Sequence, residues 1–202
     1  MLVLLSATFL EKVAGVNNCG RGCILVFSGP PCSGKSKLAE LCAATINAKR
    51  FAMDEIRQAI RPDARHTISD RDAAYQSMHD SAKSALSSNQ TIILDATYAR
   101  KRQRAALAKL LRDCPADAFI VECSVDPDEA VARFAKRPEG HAAIDLTEES
   151  VREKARSFQF TNIGLYLDTT GIKAARLAER VLKYLAEQPP VHDLEQWART
   201  GD

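Results

Sequence analysis

The eight residues Gly29-Pro30-Pro31-Cys32-Ser33-Gly34-Lys35-Ser36 fit the pattern G-x-x-x-x-G-K-[ST] and stand directly behind the apolar run Cys23-Ile24-Leu25-Val26-Phe27-Ser28. That order dictates a strand, a glycine-bearing loop and a helix in immediate succession. In such a loop the glycines let the backbone curl until successive N–H groups point inward, and the helix that follows turns its positive dipole end to the same point. Lys35 is then placed to reach β- and γ-phosphates and the Ser36 hydroxyl to ligate Mg²⁺. The stretch Lys37-Leu38-Ala39-Glu40-Leu41-Cys42-Ala43-Ala44 continues as a helix former, so both flanks that the pattern requires are present. The chain is expected to bind a nucleoside triphosphate.

The remaining apolar runs are short and separated by helical stretches. Strands are expected at 23–28, 91–95, 118–123 and, more weakly, 165–168, with a short extended piece at 49–52. Helices are expected at about 35–47, 54–60, 70–88, 99–112, 127–136, 147–160 and 172–187. Alternation of this kind gives a parallel sheet, here of about five strands, covered on both faces. Several boundaries carry their own punctuation: Asp126 as an N-cap with Pro127 in the first turn, Pro138 as a stop, and Thr147 before Glu148 and Glu149. The Pro189-Pro190 pair ends the last long helix, and the tail beyond it, with Leu194 and Trp197, is expected to dock weakly or fray.

At 202 residues the chain suits one α/β domain, and 46% hydrophobic content supplies its core. We divide it into an N-terminal arm (1–21), the main domain (22–188, with a helical lid at about 127–160) and a C-terminal tail (189–202). A net charge of +2 excludes a pervasively basic surface, so any basic patch is local. No base-stacking aromatic cluster is visible among the 6% aromatic residues, which argues against sequence-specific nucleic-acid binding. The six cysteines contain no C-x-x-C pair, which points to reduced thiols and a cytoplasmic setting. Cys32 lies near Lys35 and a helix N-terminus, both of which favour thiolate, although filler in a variable loop position is the plainer reading. The four histidines (66, 79, 141, 192) show no metal-ligand spacing and are expected at the surface or at caps. Met1-Leu2-Val3-Leu4-Leu5 is apolar but lacks a basic flank, and Glu11 and Lys12 follow. It reads as an arm or short helix packing on a neighbour, with no signal peptide or membrane span.

Four further sets of residues bear on chemistry. Asp54, at the end of the second expected strand, either accepts the proton of an acceptor hydroxyl or caps the helix that follows. Arg57, one turn on, shares its face and either holds an anionic acceptor or forms a surface ion pair. Asp95 closes the strand Ile92-Ile93-Leu94 ahead of Ala96 and Thr97, where it either reaches Mg²⁺ or caps a helix. The run Arg100-Lys101-Arg102-Gln103-Arg104 reads as a solvated basic face, with Leu107, Leu110 and Leu111 on the apolar side. Its nearness to Asp95 offers Arg100 and Thr97 to an acceptor. Arg133 and Arg137 lie four residues apart on the helix opened by Asp126-Pro127 and suit a lid that brings arginines to a moving phosphate, or else pair with Asp128, Glu129 or Glu139.

The order GPPCSGKS, MDEIRQAI, ILDATYARKRQRAAL and VDPDEAVARFAKRP, followed by an acid-capped helix, resembles the polynucleotide-kinase-like branch of P-loop kinases. The resemblance spans about residues 22–185 and extends to zeta-toxin and chloramphenicol-phosphotransferase type kinases. It implies an α/β, three-layer P-loop NTPase fold of the nucleoside-kinase-like kind, with ATP and Mg²⁺ as cofactors. By position it implies triphosphate contacts along Gly29, Pro30, Pro31, Cys32, Ser33, Gly34, Lys35, Ser36 and Lys37, with Arg133 joining from the lid. Ser36 and Asp95 fall at the metal, Asp54 at the general base, Arg57 on the acceptor's phosphate and Arg137 at the lid. The implied acceptor is a hydroxyl, either a nucleic-acid 5′ end or a small molecule such as an antibiotic or nucleotide sugar. A regulatory P-loop ATPase that delivers the phosphate to water is the rival from another class, and the oligomeric state is open.

Overall fold

The computed structural model describes residues 21–60, 67–137 and 146–200. Its centre is β1 (Cys23–Ser28), every residue of which is buried, as an unbroken apolar run demands of a strand covered on both faces. β1 pairs in parallel with β3 (Thr91–Asp95) on one side and β4 (Asp117–Ser124) on the other. β2 (Lys49–Ala52) extends the sheet beyond β3 and β5 (Leu165–Asp168) beyond β4, both parallel, giving the order β2-β3-β1-β4-β5. The expected parallel sheet of five strands is therefore present.

Because side chains alternate across a strand, the sheet divides its apolar residues between two cores. Leu25, Phe27, Ile93, Val121 and Leu167 pack with α1 (Lys35–Ile46) and α7 (Ala174–Glu187). Ile24, Val26, Ile92, Leu94 and Ile120 pack on the opposite face with α3 (Ile68–Leu86), α4 (Lys101–Asp113) and α8 (Leu194–Arg199). The result is helix, sheet, helix: the three-layer α/β architecture. The short α2 (Met53–Ile60) leaves the end of β2, while α5 (Pro127–Ala135) and α6 (Glu148–Ser157) pack on one another. The caps read from the sequence are in place. Asp126 accepts from the Asp128 and Glu129 amides, and Thr147 from that of Ser150.

Two expectations are corrected on the α4 side. Arg104 does not belong to a solvated basic face, since only 2% of it is exposed. Its Nε donates to Trp197 O at 2.9 Å, its Nη1 to Tyr98 O and Ala99 O at 2.9 and 3.0 Å, and its Nη2 to Thr200 O. Backbone carbonyls thus satisfy a buried guanidinium, as burial of a charge requires. The tail neither frays nor docks weakly, because Trp197 is fully buried in the core beneath α3 and α4. His79 is the third correction. It is buried, its Nε2 is 3.0 Å from the Tyr98 hydroxyl, and desolvation lowers its pKa to about 4. The expectations for Met1–Leu5, His66 and Pro138–His141 fall outside the described residues.

Candidate active site

The loop between β1 and α1 takes its shape from three positive φ angles. Gly29 stands at 147°, where a Cβ would collide with Cys123 O, and Cys32 and Gly34 stand at 62° and 79°. Such turns rotate consecutive amides toward one point and make an anion-binding concavity. Ser33 Oγ is buried without a hydrogen-bond partner, an orphan polar atom beside that concavity. Lys35 Nζ curls back to donate to Pro30 O at 3.3 Å. Pro31 lines the adjoining cleft, as does Lys37, whose ammonium donates to Glu40 at 3.3 Å.

The loop is held from outside by groups distant in sequence. Arg133 Nη1 donates to Cys32 O at 3.2 Å and to Thr169 Oγ1 at 3.0 Å, while Nη2 reaches Thr169 O at 2.7 Å. The Thr169 hydroxyl lies 3.0 Å from Ser33 O and 2.9 Å from Ser124 O. Arg133 also pairs with Glu129 four residues earlier, as the ion-pair reading of this arginine expects. Burial pushes the Cys32 pKa up and outweighs the opposing pull of Arg137 and Lys35, which agrees with the filler reading of this position.

Ser36 Oγ donates to Asp95 Oδ1 at 3.2 Å, and the other carboxylate oxygen accepts from Arg50 Nη1 at 2.8 Å. Burial raises the Asp95 pKa, while Lys35, the Ser36 hydroxyl and Arg50 pull it back. Asp95 thus stands on the phosphate side and caps no helix; α4 begins at Lys101 with Arg100 at its cap. The hydroxyl and carboxylate oxygens of Ser36 and Asp95 are hard donors of the kind Mg²⁺ takes when most of its remaining ligands are water and substrate phosphate. Among the described residues no group of three or more His, Cys, Asp or Glu could hold a metal by itself.

Opening from this point is a cleft of about 580 Å³. One wall is the loop, and a second is α2, which contributes Asp54 and Arg57. The helix starts at Met53, which places Asp54 inside its first turn and not at the cap. Its Oδ1 lies 3.1 Å from Arg57 Nη2, and Asp54 is the only carboxylate among the described residues lining the cleft. Arg71 and Tyr75 come from α3, Thr97 and Arg100 from the segment after β3, and Arg133 and Arg137 from α5 and the residues just after it. Thr97 O accepts from Gly29 N and Ser28 Oγ, which ties this wall of the cleft to the loop. Arg137 Nη1 is buried without a partner, and its guanidinium lies over the Phe134 ring at 5.2 Å.

Of the residues singled out in the sequence, the loop, Asp54, Arg57, Asp95, Thr97, Arg100, Arg133 and Arg137 meet in this one region, while Arg104 is turned into the core. Arg50, Tyr75 and Thr169 were missed. Tyr75 braces the cleft wall by accepting from Tyr98 N at 3.0 Å, where Tyr98 itself has φ 49°. None of the three belongs to a local pattern. The one available signal was that Thr169 directly follows a strand end, where α/β sheets place ligands.

A parallel sheet with this order and a phosphate loop at the C-terminal end of its central strand define the P-loop kinase fold. The profile of the family described as AAA domain matches residues 24–161, and the chain belongs to that family. An uncharacterized protein of Mycobacterium tuberculosis is 25% identical over 160 residues, 73% of this chain, and the chain spans only 32% of that relative's length. Among solved structures, the APS kinase of Mycobacterium tuberculosis, in complex with AMPPNP and APS, is similar with a TM-score of 0.64 at 21% identity, covering 82% of this chain and 98% of that one. A chain of the Pnkp1/Rnl/Hen1 RNA repair complex gives 0.58 at 21% identity, covering 67% and 43%. The tunicamycin resistance protein of Deinococcus radiodurans gives 0.56 at 18% identity, covering 81% and 95%. These similarities bear out the P-loop kinase resemblance at the level of the fold.

Proposed function

We propose that this chain transfers the γ-phosphate of ATP, with Mg²⁺, to a hydroxyl at the 5′ end of a polynucleotide. The observation that carries the transfer reading is the shared cleft: Asp54, its only lining carboxylate among the described residues, shares that space with Lys35 and Ser36 of the loop. Asp54 takes the hydroxyl proton, and its ion pair with Arg57 keeps it oriented for that task. Ser36 and Asp95 would hold Mg²⁺, which when bound neutralises charge on the phosphates. Arg137, buried with a donor unspent, is placed to meet charge that spreads over the moving phosphoryl group. The choice of ATP rests on the kinase resemblance.

The polynucleotide acceptor is supported by the cations on the acceptor side, where Arg57, Arg71, Arg100 and Arg102 line the cleft opposite the loop. Phosphodiesters beside the accepting hydroxyl would meet them. A second reading, a small-molecule acceptor, is favoured by the cleft volume of about 580 Å³, within the roughly 300–1,000 Å³ typical of small-ligand pockets. No described helix is long and apolar enough to cross a membrane, and the described cysteines are free, which supports a cytoplasmic setting. The deciding experiment offers γ-labelled ATP with a 5′-hydroxyl oligonucleotide and, separately, with a panel of small alcohols. Label on the oligonucleotide is expected. Label on an alcohol alone selects the second reading, and hydrolysis with neither labelled selects a regulatory ATPase.

A further inference from the structure

Three aromatic rings, far from obvious in the sequence, lead from the cleft to open surface. Phe158 follows α6 and lines the cleft. The Phe160 ring lies 4.9 Å from it, and the Tyr166 ring lies 5.2 Å beyond, nearly perpendicular to Phe160. Tyr166 sits on the edge strand β5 and is 44% exposed. Its neighbours Leu165 and Leu167 pack toward α1 and α7, so strand alternation turns Tyr166 to the other face of the sheet, the face that α3 and α4 cover. The ladder therefore lies on the acceptor side.

The segment that carries it is firmly anchored. Glu122, 1% exposed, accepts from Thr161 N, Thr161 Oγ1 and Asn162 N at 2.8–3.1 Å. Gly164, at φ 89°, brings the chain so close to Ile120 O that a Cβ would collide with it. A buried carboxylate and a tight glycine thus fix a short loop that presents aromatic rings outward. Where the ladder joins the cleft, Arg100 and Arg102 of the α4 side and Lys154 of α6 also line it, so a polyanion leaving the cleft has cations for its backbone and rings for its bases. This is the combination by which proteins hold single strands without reading their sequence.

We propose that Phe158, Phe160 and Tyr166 form a base-stacking platform for the nucleotides that follow the accepted 5′-hydroxyl of a single-stranded polynucleotide. The inference rests on the polynucleotide reading above and adds a length requirement to it. Stacking of about 1–3 kcal/mol per base converts to roughly tenfold in affinity for each ring engaged.

The test uses the full chain, saturating ATP and Mg²⁺, and 5′-hydroxyl thymidylates of one, two, four and eight nucleotides, with anisotropy of 3′-fluorescent versions as a separate binding measurement. KM and Kd should fall at least tenfold between one and four nucleotides and then level off. Tyr166→Ala and Phe160→Leu should raise both about tenfold for the octamer and leave the mononucleotide unchanged; abasic residues at the second and third positions should do the same to the unaltered chain. Transfer with no length dependence, or equal losses on the mononucleotide, overturns the platform while the kinase reading stands. Length-dependent, ring-dependent binding without transfer upholds the platform and sinks the kinase reading. Failure of oligonucleotides to bind overturns both. Concentration-dependent dimerisation abolished by Tyr166→Ala would show that a second copy covers the rings, and that too overturns the platform.

Discussion

The Ser36 hydroxyl donates to Asp95 Oδ1 at 3.2 Å, joining the first turn of α1 to the end of β3. Arg50 holds the second oxygen of the same carboxylate at 2.8 Å. One buried acid is thereby aimed in two directions. Asp95→Asn is expected to reduce transfer at least about 100-fold, and Arg50→Met, which frees the carboxylate to turn, to raise the Mg²⁺ concentration needed for half-maximal rate about tenfold. Initial rates against Mg²⁺ concentration check both; an unchanged Mg²⁺ dependence in Arg50→Met would remove its positioning role.

Asp54→Ala should lower kcat by about 10²–10⁴, the span ordinary for loss of a general base, and leave nucleotide affinity within about twofold. Fluorescent-nucleotide titration beside labelled-phosphate transfer makes the comparison. A phosphorylation rate equal to that of the unaltered chain would sink the assignment.

Arg137→Ala is expected to cost about 10³ in kcat with little change in acceptor KM, because its contribution arises as charge develops on the transferred group. Arg137→Lys should recover only part of the loss, since an ammonium lacks the planar fork. A loss confined to KM would instead make it a ground-state anchor.

Arg104 and Trp197 bind the last helix to α4, so their loss should be felt in stability before activity. Trp197→Ala is expected to cost about 3–5 kcal/mol. Arg104→Ala should cost about 3 kcal/mol, given that hydrogen bonds to charged groups are each worth more than neutral ones. Urea unfolding followed by circular dichroism measures both, and changes below about 1 kcal/mol would show that α8 is not part of the cooperative unit.

His79 predicts a pH effect of definite sign. Its folded pKa lies near 4, below the unfolded value of about 6.5, so the unfolded chain binds the extra proton between those limits and stability falls as pH drops through that window. The loss approaches about 3 kcal/mol at its acid end. His79→Gln, which can still bond the Tyr98 hydroxyl, should flatten this part of the profile. An identical acid dependence in both proteins would assign the effect to other groups.

What the sequence disclosed was whatever repeats or sits beside its own signal. Alternating strands and helices, the loop at 29–36, the acids at strand ends and the caps at Asp126 and Thr147 all depend on neighbours a few positions away, and each was legible. Arg104 was not, because its acceptors include Trp197 O and Thr200 O, ninety or more positions along the chain, and charge alone suggests solvent. Arg50 and Thr169 were missed for the same reason. The aromatic ladder escaped because Phe158, Phe160 and Tyr166 join only once Glu122 has folded their loop against the sheet edge.

Thr169 has a consequence for the order of events during synthesis. The phosphate loop is made before its braces: the hydroxyl 3.0 Å from Ser33 O belongs to a residue 136 positions later, and Arg133 reaches the loop across 101. A nascent chain that already contains the whole motif lacks these braces, and β1 lacks both sheet partners until 91–95 and 117–124 have been made. Since such distant pairings are slow to form and leave surface open meanwhile, the loop gains its braces late, only after residue 169 has been made.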